Sequence, residues 1–174
     1  GIASTDTPHL DTLIAQGAWS LRASTQLDAR TVSGPGWTSM LTGVDANKHG
    51  IVDNGDYVNI NRYYPTLIGR AHELGYSTAT AIRWLPIQLN LIEPNVTNEI
   101  VLGIDAEVTA GMTEMLKSAD HDVHFAALDD VDRTGHDSAF LPDEPQYQAA
   151  ITAADAQVGQ MLAAIAARPT RSDE

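Results

Sequence analysis

Apolar residues along the chain recur mainly at helical spacing, in runs broken by glycine and proline. Leu10, Leu13 and Ile14 share one face of "HLDTLIAQGA"; Thr7 is placed to cap this helix, Pro8 opens it and Gly17 ends it. Residues 18–25, "AWSLRAST", read as a short extended segment. A short helix is expected from Gly36 to Leu41, with a break at Gly43, and residues 54–65 read as loop. A second helix is expected over 66–75, with Leu67, Ile68 and Leu74 as core candidates and Gly75 as its stop. A strand over 76–84 precedes a proline- and asparagine-bearing loop over 85–98. Val108, Met112 and Met115 mark a helix over 105–119, and residues 121–131 read as a strand that runs into polar positions. The longest helix is expected over 145–169, bounded by prolines, with Ile151, Val158, Leu162 and Ile165 in phase.

Strands alternating with helices predict an α/β fold, with a mainly parallel sheet flanked by helices. About three strands make a thin sheet for helices of this size. The 174 residues suffice for one domain with a core. At 43% hydrophobic and 19% charged residues the chain is globular, not disordered. No apolar run looks long enough to span a membrane, and residues 1–30 lack a secretory signal pattern. There is no cysteine, so a metal would be held by Asp, Glu, His and hydroxyl oxygens. A net charge of −13 disfavours nucleic-acid polymers and anionic membranes as partners. A small anionic substrate would need local compensation from metal ions or a helix N-terminus.

Two places could carry chemistry, both at expected carboxyl ends of strands. One is "TVSGPGWTSMLTGVDANKHGIVDN", residues 31–54. Ser33 precedes Gly34-Pro35 and a helix, which suits either an N-cap or a nucleophile beside a positive dipole end. As a nucleophile it needs something to lower its pKa, and a metal on its oxygen would do so. Ser39 and Thr31 are rivals without the Gly-Pro context. His49-Gly50 reads first as a packed or capping histidine. Asn54 offers an amide donor, although asparagine before glycine is also a turn signal. The other place is "DDVDRTGHD", residues 129–137. A loop there could turn Asp132 and His136 toward one point, where carboxylate and imidazole suit zinc or another divalent transition metal. A polar turn with a solvated histidine is the alternative. Asp129, Asp130 and Asp137 are candidate partners for orienting His136, or plain surface acids. No P-loop, nucleophile-elbow or dinucleotide pattern is present.

Taken in order, "TPHLDTLIAQGA", the 31–54 stretch, "DDVDRTGHD" and "YQAAITAADAQVGQML" resemble the alkaline phosphatase superfamily. The likeness is greatest to its type I phosphodiesterase/nucleotide pyrophosphatase branch and to sulfatase-like phosphatases. The resemblance implies a metal-dependent hydrolase of phosphoric esters, working through a serine phospho-enzyme and two divalent metal ions, zinc by expectation. It makes Ser33 the nucleophile and a metal-bound oxygen, Asn54 the donor to a non-bridging phosphoryl oxygen, and Asp132 and His136 the ligands of one metal. It also implies an exported or periplasmic location, for which this chain carries no signal segment.

Departures from the family pattern shape the rest of the expectation. The strand and aspartate that precede the "TP" helix in the family are not matched, nor are the Asp-His-Gly motif and last histidine that follow its long helix. Residues 1–174 are therefore expected to be a partial alkaline phosphatase-like domain, incomplete at both ends. It should bind metal weakly, show little activity, and self-associate through exposed sheet edges. Gly34 and Ala127 stand where nucleotide-cleaving members carry base-stacking aromatics, so a nucleotide clamp is not expected. Trp37, Trp84 and Tyr57 read as core or rim aromatics, with service to another pocket as the alternative. Trp37 and Thr38 stand where a sulfatase needs arginine, which argues against formylglycine chemistry. A non-catalytic binding relative of the same fold is the alternative. An unrelated α/β domain would not bring Ser33, Asn54, Asp132 and His136 into one site.

Overall fold

Three parallel strands, β1 (Thr78–Ile82), β2 (Glu99–Leu102) and β3 (Val123–Ala127), lie in the order β2-β1-β3 in a computed structural model that describes residues 2–20, 29–118 and 121–168. Ala79 stands opposite Glu99 on one side and His124 on the other; Ile82 stands opposite Leu102 and Ala127. The helices are α1 (Pro8–Gln16), α2 (Ser33–Thr42), α3 (Ala46–His49), α4 (Leu67–Glu73), α5 (Asp105–Ser118), α6 (Asp130–Asp137) and α7 (Pro145–Ala166). Every residue of β1 is buried, because apolar side chains cover both faces of the central strand. On one face Ala79 and Ala81 meet Val108, Met112, Met115 and Ala164 of α5 and α7. On the other, Ile82 packs with Leu41, Ile68, Ile87, Leu91 and Ile92. The buried Thr80 hydroxyl donates to Gln88 Oε1 at 2.7 Å, so the polar groove in this small-residue strand is satisfied.

The predicted class holds, and several elements shift. The strand expected over 76–84 is β1, and the one over 121–131 is β3, cut short because α6 begins at Asp130. β2 was not expected; four residues long and mostly exposed at the sheet edge, it gives little periodic signal. The proline-bearing loop contains a π-helical turn, Ile87–Leu91, whose two ends are buried. Of the extended segment over 18–25, residues 21–25 lie outside the described residues, as does 169–174 beyond the end of α7.

The core assignments for α4 need correction. Leu67 and Leu74 are 44% and 67% exposed, and the buried face is Ile68, Gly69 and Ala71. Glu93 explains the small face: it accepts from the Thr66 N–H at 2.8 Å and hydroxyl at 2.6 Å, and its carboxylate crowds Gly69. In α7, Ile151 is buried as expected, but Ile165 is exposed and Ala164 takes the inward position. The sequence reading found no span long enough for a membrane, yet α7, at 22 residues, has the length and composition to cross one. It packs against α1, α5 and α6, and its buried Asp155 accepts from the N–H groups of His9 and Leu10 at the start of α1, at 3.3 and 2.8 Å.

Candidate active site

Ser33 is the first residue of α2, which starts earlier than the expected Gly36. Val32, in extended conformation, occupies the cap position, so Ser33 is not a side-chain cap. Its hydroxyl makes no hydrogen bond with another described residue. The Gly34 N–H donates to Asn54 Oδ1 at 2.6 Å. A Cβ on residue 34 would lie 3.0 Å from both Asn54 Oδ1 and the Asp53 carbonyl, so glycine is what lets Asn54 approach. The same bond fixes the Asn54 amide and turns its NH₂ group away from Gly34. Asp53 anchors the other side of Asn54, accepting its backbone N–H at 2.8 Å and the Arg30 guanidinium at 2.7 Å. The Asn54 N–H first, and Arg30 second, hold the Asp53 carboxyl below its ordinary range.

These contacts leave few free donors at the start of α2 among the described residues. Gly34 N–H is taken by Asn54, Pro35 has none, and Gly36 N–H reaches the Val32 carbonyl at 3.1 Å. That leaves the Ser33 N–H as the first-turn donor for an anion. Deeper in α2, the buried Thr38 hydroxyl donates to the Gly34 carbonyl at 2.7 Å. His49 is fully buried behind this wall. Its Nδ1 accepts the Ile51 N–H at 3.1 Å, so Nε2 carries the proton and donates to Ser39 Oγ at 2.9 Å. Burial lowers the His49 pKa, against a smaller opposite effect of Asp45. His49 is thus the packed histidine that its sequence context suggests, and Ser39 is engaged by it.

Asp132 and His136 lie on a helix, not on the expected loop. Four residues apart on α6, they share one face, with His136 Nε2 3.6 Å from Asp132 Oδ2. Both are open to solvent, their side chains 55% and 71% exposed. Gly135 between them is buried against the Phe140 ring, where any Cβ would collide. Phe140 in turn meets the His136 ring edge-on at 5.1 Å and Tyr147 of α7 at 5.5 Å. Asp129, at the cap position of α6, has its pKa raised, chiefly by burial and then by Asp132.

Ser33, Asn54, Asp132 and His136 line one cavity of about 450 Å³, with Trp37 and Met40 on its wall. A smaller cavity of about 240 Å³ adjoins it and shares Ser33, Asp132 and His136, adding Trp84, Asp129 and Arg133. Thr31 lines the larger cavity and Asp137 the smaller; Tyr57 packs against the core instead. The larger cavity is therefore a place where a hydroxyl, an amide donor, a carboxylate and an imidazole face a common space. Among the described residues no group of three or more His, Asp or Glu converges as a metal cage. Asp132 and His136 supply two nitrogen and oxygen donors of the kind zinc takes, and the Ser33 oxygen adds a third on the same wall. The donor set fits part of one metal shell.

Asp105 escaped the sequence reading. Its carboxylate accepts the Asp129 N–H at 2.9 and 3.0 Å and the Asp130 N–H at 2.8 Å, at the start of α6. An acidic residue opening a helix reads as a partner of that helix's own dipole, which conceals its bonds to another.

Residues 2–73 match the family described as type I phosphodiesterase / nucleotide pyrophosphatase. No curated protein sequence matches the chain. Among solved structures, the chain is similar to murine ectonucleotide pyrophosphatase / phosphodiesterase 5, in an inactive form in complex with AMP. The TM-score is 0.65 at 17% identity, over 95% of this chain and 48% of that one. The human ectonucleotide pyrophosphatase / phosphodiesterase 5 matches with a TM-score of 0.65 at 18% identity, over 94% and 49%. The chain spans about half the length of these structures.

Proposed function

Taking the chain as a relative of the type I phosphodiesterases / nucleotide pyrophosphatases, with their alkaline phosphatase-like fold, we propose that its 174 residues are the nucleophile-bearing part of a metal-dependent phosphoric ester hydrolase. The observation that carries the proposal is the meeting of Ser33, Asn54, Asp132 and His136 on one cavity. Asp132 and His136 would hold a divalent metal, zinc by the character of the donors, with the Ser33 oxygen beside it. A second metal would take further ligands. When bound, the metal lowers the pKa of the serine hydroxyl and offsets phosphoryl charge.

The chain's own residues do the rest. Ser33 Oγ, which no other described residue engages in a hydrogen bond, gives its proton to solvent and attacks phosphorus in line; the Oγ–P bond forms as the bond to the leaving oxygen breaks, and that oxygen departs with the electron pair. The Asn54 NH₂, aimed by the Gly34–Asn54 bond, donates to a non-bridging oxygen as charge gathers there. Water then cleaves the phosphoserine and restores the Ser33 hydroxyl. The substrate is a small phosphoric ester, in keeping with the acidic chain and the size of the cavity.

Two exposed ligands favour weak metal binding, and the isolated chain should turn over little or nothing. That leaves a second reading, a non-catalytic binding relative of the same fold, which the exposure of Asp132 and His136 also accommodates. The deciding assay follows hydrolysis of bis-p-nitrophenyl phosphate with added zinc, in this chain and in its full reading frame. The hydrolase reading expects zinc-dependent turnover from the longer protein, abolished in Ser33→Ala, and almost none from the 174 residues. A longer protein that binds phosphate without turnover supports the binding relative; robust turnover by the isolated chain contradicts the partial-domain reading.

Self-association belongs to the same proposal. β2 is an edge strand, and Ile100 and Leu102 on it are 46% and 41% exposed. Sedimentation velocity should show concentration-dependent dimers or larger species, reduced by Ile100→Lys. A monomer at high concentration would count against it.

A further inference from the structure

We infer that Asp105 is a positioning residue for the Asp132–His136 pair, an inference that rests on reading that pair as metal ligands. Asp105 opens α5, yet its carboxylate is spent on another helix. Oδ1 accepts the Asp129 N–H at 2.9 Å, and Oδ2 accepts Asp129 N–H at 3.0 Å and Asp130 N–H at 2.8 Å. The residue is 1% exposed. A carboxylate withdrawn this far from water is tolerated only when its lone pairs are met, and here the peptides that start α6 meet them.

Those bonds fix two peptide planes where the chain leaves β3 and turns into α6. The direction and rotation of α6 are set at that point, and both Asp132 and His136 inherit them. The far end of the helix is held separately, by Phe140 against Gly135. A cap drawn from α6's own loop would move with that loop. Asp105 instead belongs to α5, which packs on β1 and α7, so the metal-binding face is referenced to the core. The same bonds occupy donors at the start of α6, so an incoming phosphoryl group is served from the Ser33–Asn54 wall.

The test uses the 174-residue chain with Asp105→Ala and Asp105→Asn. Asparagine keeps the shape and one acceptor, and carries the comparison if alanine does not fold. Amide exchange and the His136 ring signal are followed by NMR without metal. The expected result is faster exchange through α6 and a displaced His136 signal, while α5 and α7 keep their protection. Cobalt(II) is then titrated by absorption, with about tenfold or greater loss of affinity expected and an altered spectrum, as for other residues that orient metal ligands. Unchanged α6 exchange and an unmoved His136 signal overturn the inference. So does a loosened α6 with unchanged cobalt affinity and spectrum, which would make Asp105 a structural cap only. If the wild-type chain binds no cobalt through His136, the metal reading of the pair fails, and Asp105 loses its role toward a metal with it.

Discussion

The two walls of the cavity are built differently. The Ser33 wall is knit into the interior: Gly34 clasps Asn54, Thr38 bonds back along α2, and the buried His49 ties Ser39 to Ile51. The α6 wall presents Asp132 and His136 to solvent, 3.6 Å from each other, and relies on Asp105 and Phe140 to hold the helix beneath them. On the proposed reading, the donor Asn54 and the backbone that carries Ser33 are held in place before substrate arrives. The proposed metal ligands stay hydrated instead, which costs little when no metal is bound. Order at the first wall should therefore register in stability, and order at the second in metal binding.

That contrast can be broken most readily at His49. His49→Ala removes a packed ring together with its bonds to the Ser39 hydroxyl and the Ile51 N–H, and should cost about 2–4 kcal/mol in urea unfolding. A loss near zero would mean that the first wall is not cooperative. Gly34→Val comes next. Its side chain crowds Asn54 Oδ1 and the Asp53 carbonyl, for an expected loss of about 1–3 kcal/mol and a displaced Asn54 amide signal. An unshifted Asn54 would contradict the close approach.

Acid should weaken the fold through two histidines, the buried His49 behind the Ser33 wall and the half-buried His124 on β3. The pKa values of His49 and His124 are lowered, chiefly by burial, so each stays neutral in the fold while the unfolded chain protonates near 6.5. Their contribution is complete above that pH and is lost as pH falls below it, toward the lowered folded values. Thermal unfolding between pH 7.5 and 5 should show a falling midpoint, with a shallower fall in His49→Gln. A midpoint that rises on acidification would reverse the assigned sign. The smallest effect is expected at the second wall, where the Asp132→Asn, His136→Ala double variant should stay within about 0.5 kcal/mol of wild-type stability. A loss above 2 kcal/mol would erase the contrast between the walls.

Much of this was legible in the sequence, and what was not has physical causes. Alternation of helices and strands indicates the class, and Ser33, Asn54, Asp132 and His136 stand out by their local sequence context. The helical state of residues 130–137 was hidden because acidic and glycine-bearing stretches favour turns locally. Asp105, distant in sequence, accepts the N–H groups that open the helix. The same distance hid the reason for Gly135, whose neighbour is the Phe140 ring. Leu67 and Leu74 misled because periodicity shows which residues share a face, whereas Glu93 decides which face turns inward.

The central claim is that the exposed pair on α6 and the serine that opens α2 serve one metal-assisted site. Calorimetric titration of the 174-residue chain with zinc tests it most directly. A single site is expected, about micromolar or weaker because the described ligand set is incomplete, lost in the Asp132→Asn, His136→Ala variant and weakened in Ser33→Ala. Zinc binding that is unchanged in both variants would contradict it.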